Sequence, residues 1–313
     1  TLFRSGVGLA CEAATGTAVV SRADSIVSRF DIEKAIAEAE MQIELKNKAI
    51  LHAFPTSFKV DGRELPTRPE GITGGKIEVR TLFVTILEQH LDDIIGVVND
   101  AGVKVTGFTA TPLAAEKLIL SDLQRNFGCA LIDIGAETVS VSVFENNAIT
   151  SLHVFGIGSL DVTKDIALGL RITPEEAESL KCGVVSFQSI PKKKLDEIIE
   201  ARLTDIFELV DKYFKKIGRS ALLPAGAIII GAGSTLPMIE QVAKTMLKIP
   251  VKIGHLDIPS IKGPLKDQRL ANAYGVAVGD PSHISQGKGV GTSTNDSDGF
   301  IGVIKNFFKQ LMP

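Results

Sequence analysis

The sequence predicts an α/β fold, and three stretches carry that prediction. Residues 130–144, Ala-Leu-Ile-Asp-Ile-Gly-Ala-Glu-Thr-Val-Ser-Val-Ser-Val-Phe, read as a buried strand ending at Asp133 and a tight turn. A second strand follows, in which Val139, Val141 and Val143 alternate with Ser140 and Ser142. Residues 227–230 are another short apolar strand, followed by Gly231-Ala232-Gly233-Ser234 and then by an amphipathic pattern to about Lys248, with Leu236-Pro237 at its start. Between residues 76 and 120, strand and helix patterns alternate, as expected where helices cover a sheet.

In chain order, residues 1–5 extend no pattern that follows and are left out of the reading. A strand is expected over 16–21. Asp31 then caps a helix that carries Ile32, Ala35, Ile36 and Ala39 on one face, and an extended segment over 49–60 ends in the turn Asp61-Gly62. The proline-rich residues 65–75 form a surface loop before a strand over 76–85. Leu87, Leu91, Ile94, Ile95 and Val98 recur at helical spacing over 87–99, and Gly102 closes that helix. A strand over 103–109 and a helix over 112–120 follow. The 130–144 hairpin extends to a third strand through the turn Asn146-Asn147.

Thr173 as N-cap, Pro174 at the first helical position and Glu176 three residues after the cap specify a helix start. Residues 195–216 form a helix whose stripe of Ile198, Ile199, Leu203, Ile206, Leu209, Val210 and Phe214 packs on a sheet. Arg202 breaks from that stripe. The run Lys192-Lys193-Lys194 before it reads as a solvated face. A strand over 251–254 and a helix over 266–279 close the folded part.

Three of these places have chemistry to offer, each beside a purely structural alternative. Gly135 lets backbone approach a ligand, the amides of the 133–138 turn can form a concavity for phosphate, and Asp133 can hold magnesium through water; the alternative is a plain hairpin. The strand, glycine loop and helix N-terminus at 227–239 suit a nucleotide's phosphate or sugar edge, or a close packing turn. Glu178 and Lys181 share one helix face, as a ligand contact or an exposed ion pair.

Composition narrows the class. A chain of 313 residues with 44% hydrophobic content can bury large cores, and its length favours more than one domain. A net charge of −3 gives no basic footprint, which argues against nucleic acid as the main partner. Cys11, Cys129 and Cys182 lack metal-ligand spacing and fit a reducing compartment. Residues 280–298 are small and polar and read as a flexible linker. The chain then turns apolar: Phe300, Val303, Ile304, Phe307, Phe308 and Leu311 recur at helical spacing, Ile301 widens the stripe, and Lys305 and Lys309 fall on the other side. Such a segment is too short to span a bilayer but suits a helix lying in the headgroup layer of an anionic membrane; the alternative is a terminal helix docked on the protein's own core.

Taken together, four motifs in order resemble the actin-like ATPases, and most closely the FtsA family of bacterial cell division. They are Asp-Ile-Gly-x-x-Thr at 133–138, Thr163-Lys164-Asp165-Ile166-Ala167 after Gly156-x-Gly158, Glu-Ala-Glu-x-Leu-Lys at 176–181, and Gly-x-Gly-Ser-x-x-Pro at 231–237. The resemblance implies an actin-like (ribonuclease H-like) fold that binds ATP and Mg2+. Asp133, Gly135, Ala136, Glu137 and Thr138 would form the second phosphate loop, with Asp133 toward the metal. Glu178 and Lys181 would approach the ribose, and Gly231, Ala232, Gly233 and Ser234 the adenosine. It further implies subdomain 1C (the SHS2 insert) over 1–78, part of 1A over 79–127, 2A over 128–160 and 195–280, and 2B over 161–194, with linker 281–298 and membrane helix 299–313.

The partners implied are the C-terminal tail of FtsZ, with Arg202 as a contact, further copies of the chain in filaments, and the inner leaflet of the cytoplasmic membrane at the division site. The same core occurs in PilM of type IV pilus assembly, the alternative reading. Two features depart from the pattern. Ala136 and Glu137 stand where glycine is common, and the family's first phosphate loop has no counterpart, so the likeness is to a chain lacking the first half of subdomain 1A. Ser140 stands where an acidic residue is common, so no catalytic residue is assigned, and any ATPase activity is expected to be weak at most.

Overall fold

The computed structural model describes residues 9–21, 25–105, 107–184, 191–256 and 268–278. They form two compact units, one within residues 8–110 and one within 111–279.

The first unit is an antiparallel sheet with a helix on one face. Its strands are β1 (Ala10–Val19), β2 (Lys48–Val60), β3 (Arg63–Leu65) and β4 (Lys76–Leu87), in the order β1-β4-β2-β3. Strand β1 begins six residues before the expected position and runs through Gly16. A Cβ at Gly16 would lie 1.8 Å from the Ala35 carbonyl oxygen, so only glycine lets helix α1 (Arg29–Glu40) rest this closely on the strand. The cap of α1 is Ser28 rather than Asp31. Asp31 is its reciprocal partner, taking the Ser28 amide at 2.8 Å while the Ser28 hydroxyl accepts from the Asp31 amide. Ile32, Ala35 and Ala39 are buried against Val79, Ile77 and Phe83, as the periodicity predicts. The Asp61-Gly62 turn has positive φ at both residues and pairs Val60 with Arg63, matching a two-residue hairpin.

After β4 comes helix α2 (Glu88–Asp100), on which Leu91, Ile94, Ile95 and Val98 are half-buried. Of the strand expected over 103–109, the described residues show only a β-bridge at Phe108.

The second unit is a mixed sheet of β5 (Cys129–Ile134), β6 (Val139–Glu145), β7 (Ala148–Phe155), β8 (Ala227–Ile230) and β9 (Val251–Ile253), ordered β7-β6-β5-β8-β9. Strands β5, β6 and β7 are antiparallel hairpins, with Asn146 and Asn147 both at positive φ, whereas β8 and β9 run parallel to β5. The predicted helix over 112–120 is split into α3 (Thr111–Ala114) and α4 (Glu116–Ile119), and α5 (Asp122–Phe127) follows with a Ser121–Gln124 capping box. Helices α6 (Ser159–Leu170), α7 (Pro174–Lys181), α8 (Lys192–Lys216), α9 (Ile239–Leu247) and α10 (Ala271–Val278) complete the unit. The main core joins Ile132, Ile134, Val141, Leu203, Phe207 and Ile229, so the sheet and the apolar stripe of α8 pack as the sequence indicates.

Candidate functional site

Strands β5 and β8 are parallel neighbours in register, Asp133 opposite Ile230. Both therefore end on the same edge, and the turns that follow lie side by side. In open α/β sheets ligands are bound beyond the carboxyl ends of such strands.

The first turn is closed by the Gly135 amide donating to the Thr138 carbonyl at 2.9 Å. Ala136 and Glu137 are exposed at its tip, while Thr138 is buried. Glu137 is exposed there, so its carboxylate is not buried in the core. Helix α6 is tied to this turn: the Ser159 amide donates to the Gly135 carbonyl at 2.9 Å and the Leu160 amide to the Ala136 carbonyl at 2.8 Å. Gly158 makes this possible, because a Cβ there would lie 2.3 Å from the Ala136 oxygen.

Asp133 is 8% exposed and accepts a 2.7 Å hydrogen bond from Asn272 Nδ2 on α10. Burial pushes its carboxyl above the ordinary aspartate value, against the downward pull of the Asn272 bond. Asn272 escaped the sequence reading. It lies 139 residues from Asp133, and no local signal marks it. A lone buried carboxylate suits Mg2+, which keeps waters and takes one or two carboxylates beside substrate phosphates. Among the described residues no group of three or more His, Cys, Asp or Glu side chains is placed to hold a metal by itself.

The second turn differs from expectation in detail. Ala232–Thr235 is a single 3-10 turn, and α9 starts only at Ile239 because Met238 before it adopts the left-handed conformation. Pro237 accordingly precedes the helix rather than opening it. Gly231 has φ +87°, and a Cβ there would lie 2.2 Å from Asp133 Oδ1. A Cβ at Gly233 would lie 2.4 Å from Ile134 Cγ2. Both glycines are therefore demanded by packing against β5, the structural alternative for this loop. Ala232 is exposed, and the Ser234 hydroxyl donates to the Gly231 carbonyl at 2.7 Å.

On the α6 and α7 side, a cavity of about 530 Å³ is lined by Ala136, Ser159, Thr163, Glu178, Lys181 and Cys182, among others. The Thr173–Glu176 capping box and Pro174 fix the start of α7 as the sequence predicts, and this places Glu178 and Lys181 on the cavity wall. They form an ion pair at 2.7 Å. Burial would raise the Glu178 carboxyl, but hydrogen bonds from Lys181 and Thr163 and the Lys181 charge outweigh it and hold the group below its ordinary value.

Arg202 lies on α8. Its Nε and Nη2 reach Asp165 Oδ2 and Oδ1 at 2.6 and 3.0 Å, and Nη1 reaches Asp205 at 3.3 Å. The guanidinium is thus already engaged by α6, so an incoming carboxylate must share it. Phe300, Ile301, Val303, Ile304, Lys305, Phe307, Phe308, Lys309 and Leu311, read from the sequence as a membrane-facing helix, lie outside the described residues, and no described helix is long and apolar enough to cross a membrane.

Two family models match this chain: "Cell division protein FtsA" over residues 130–275 and "SHS2 domain inserted in FTSA" over residues 8–85. The chain belongs to the FtsA family. Cell division protein FtsA of Bacillus subtilis (strain 168) is 28% identical over 270 residues, which cover 80% of this chain and 61% of that protein. The chain thus spans about three-fifths of the length of this curated relative. Among solved structures, the PilM–PilN type IV pilus biogenesis complex superposes with a TM-score of 0.64 at 15% identity, covering 88% of this chain and 77% of that one. MreB5 of Spiroplasma citri bound to AMPPNP gives 0.51 at 14% identity, covering 72% and 68%. At these identities the likeness is one of fold, and the fold is actin-like. The pilus alternative therefore rests on shared architecture, whereas membership of the FtsA family rests on sequence.

Proposed function

We propose that this FtsA-family chain belongs to a nucleotide-binding scaffold of the bacterial division machinery. In this reading it binds ATP with Mg2+, associates with further copies into filaments, holds the FtsZ C-terminal tail, and lies on the inner leaflet of the cytoplasmic membrane through its last residues. The supporting observation is the convergence, within one unit, of buried Asp133 with Asn272, the Gly231 turn beside it, and the cavity that carries Glu178 and Lys181. MreB5, of the same fold, is bound to AMPPNP in its solved structure. The residues present suit the group: the small Ala136 is exposed at the tip of the 133–138 turn, and Asp133 offers one carboxylate toward a magnesium ion. When bound, magnesium would offset phosphate charge. What the chain supplies is backbone to approach the phosphates and a carboxylate toward the sugar. Calorimetry with ATP, with and without magnesium, tests this part; no binding by the intact protein at millimolar ATP would end it.

The membrane part rests on the 299–313 pattern. Burying a Phe side chain is worth about 1.5–3 kcal/mol, so Phe307→Glu should remove that gain and release the protein from anionic vesicles. Deleting residues 299–313 should do the same. Co-sedimentation with anionic liposomes that persists after the deletion would show that another surface binds lipid.

The FtsZ part is tested at Arg202. Arg202→Glu sets a carboxylate beside Asp165 and Asp205, so it should weaken binding of a labelled FtsZ tail peptide in fluorescence anisotropy by about fivefold or more. Arg202→Ala, which adds no repulsion, should weaken it less. Unchanged affinity in both variants removes Arg202 from the contact.

A further inference from the structure

One side chain donates to the Asp133 carboxylate. Among the described residues that donor is Asn272 Nδ2, at 2.7 Å from Oδ2, and Oδ1 takes no hydrogen bond. Oδ1 lies instead beside the Gly231 turn, 2.2 Å from where a Cβ at Gly231 would stand. Asn272 is itself half-used, because its Oδ1 is buried and has no hydrogen-bond partner among the described residues. The pair therefore presents two adjoining acceptor oxygens, one from β5 and one from α10, and no described group donates to either.

A buried acceptor left unpaired costs stability, and an amide whose task was only to hold Asp133 would leave that cost unmet. Nor does Asp133 alone set where Asn272 stands. Ala271 beside it is buried, and a Cβ at Gly275 would lie 1.9 Å from the Ala114 carbonyl oxygen, so the backbone of α10 rests directly on α3. Asn272 is thus delivered to Asp133 by a helix anchored elsewhere in the same unit. Two acceptors without donors call for a cation or for water polarised by one. Magnesium keeps several of its waters when a carboxylate binds it, and those waters are donors that need acceptors in fixed positions. An amide oxygen supplies one without adding a second negative charge.

We propose that Asn272 is a positioning residue for magnesium: its amide nitrogen orients the Asp133 carboxylate, and its amide oxygen accepts a hydrogen bond from a water of the cation. Helix α10 is then part of the cation's surroundings, and cation binding ties α10 to β5. This rests on the nucleotide reading above.

The test titrates the intact protein with ATP in a calorimeter, once with magnesium and once with a chelator. Asn272→Leu, of similar size and without polar side-chain atoms, should cut the magnesium-dependent gain in ATP affinity by about tenfold, the scale of an outer-shell partner, while affinity without magnesium changes by no more than about twofold. Asn272→Ala serves if the leucine variant fails to fold. A second measurement needs no nucleotide. Asn272→Asp keeps an oxygen, loses the donor and sets a second carboxylate against the first, so about 10 mM magnesium alone should raise its melting temperature by about 2–4 °C more than that of the wild type. A purely structural amide predicts otherwise. Full retention of the magnesium-dependent gain in the leucine or alanine variant, affinity lost equally with and without magnesium, or an aspartate variant that magnesium stabilises no more than the wild type overturns the positioning role. Wild-type ATP binding indifferent to magnesium also overturns it and leaves the nucleotide reading standing. Wild type that binds no ATP removes that reading and this inference with it.

Discussion

Asp133→Asn is expected to lower magnesium-dependent ATP affinity by about tenfold or more while leaving the nucleotide-free protein as stable as the wild type or up to about 2 kcal/mol more stable. The carboxylate is buried, and burial holds its titration above the ordinary value despite the Asn272 hydrogen bond. An acid whose folded value is raised stabilises the fold below its unfolded value, and that contribution is lost as pH rises through the folded value. The buried carboxyl therefore costs stability increasingly as pH rises, as expected of a residue kept for ligand binding. An amide of the same shape has no such cost. It also offers a donor near Asn272 Oδ1, a buried oxygen without a hydrogen-bond partner among the described residues. Differential scanning calorimetry across pH should show the variant's advantage shrinking as pH falls and the wild-type carboxyl protonates. Retention of magnesium-dependent ATP binding by Asp133→Asn would show that the metal is held elsewhere.

Gly233→Val should destabilise the second unit by about 3 kcal/mol or more before any ligand is considered. Its Cβ would stand 2.4 Å from Ile134 Cγ2 and 3.0 Å from the Ile134 carbonyl oxygen, against a fully buried strand that has no room to retreat. Valine adds two further methyl groups to that clash. From the sequence, this glycine reads equally as the place where backbone meets a nucleotide and as a packing turn; the geometry gives the second reading a definite collision. Chemical denaturation of the nucleotide-free variant separates them. Wild-type stability with ATP binding alone lost would return Gly233 to the ligand. Gly231→Ala should behave similarly, and it should also disturb Asp133, whose carboxylate oxygen lies 2.2 Å from the position of the added methyl.

What the sequence by itself determined is what a few neighbouring residues can enforce. The Asn146-Asn147 and Asp61-Gly62 turns pair their strands as read, because positive φ at two successive residues matches the twist of a two-residue hairpin. Thr173, Pro174 and Glu176 start α7 where expected, since capping acts over three residues. Alternation along 130–144 and the stripe on 195–216 identify the sheet and the helix that meet in the core.

Tertiary structure alone decided the rest. The segment 103–109 has strand-like residues, yet its described residues show no more than a bridge at Phe108, because strand pairing depends on packing against neighbours that composition does not announce. Asn272 meets Asp133 across 139 residues of chain. Arg202, read as a surface cation open to a partner, is held by Asp165 from another helix. Lys181, read as a ligand contact, has all its donors occupied by Ser159, Thr163 and Glu178. Residue types and short spacings state which groups are available. Whether a charged group remains available to a ligand depends on which distant side chain reaches it first, and only the packing of one element on another determines that.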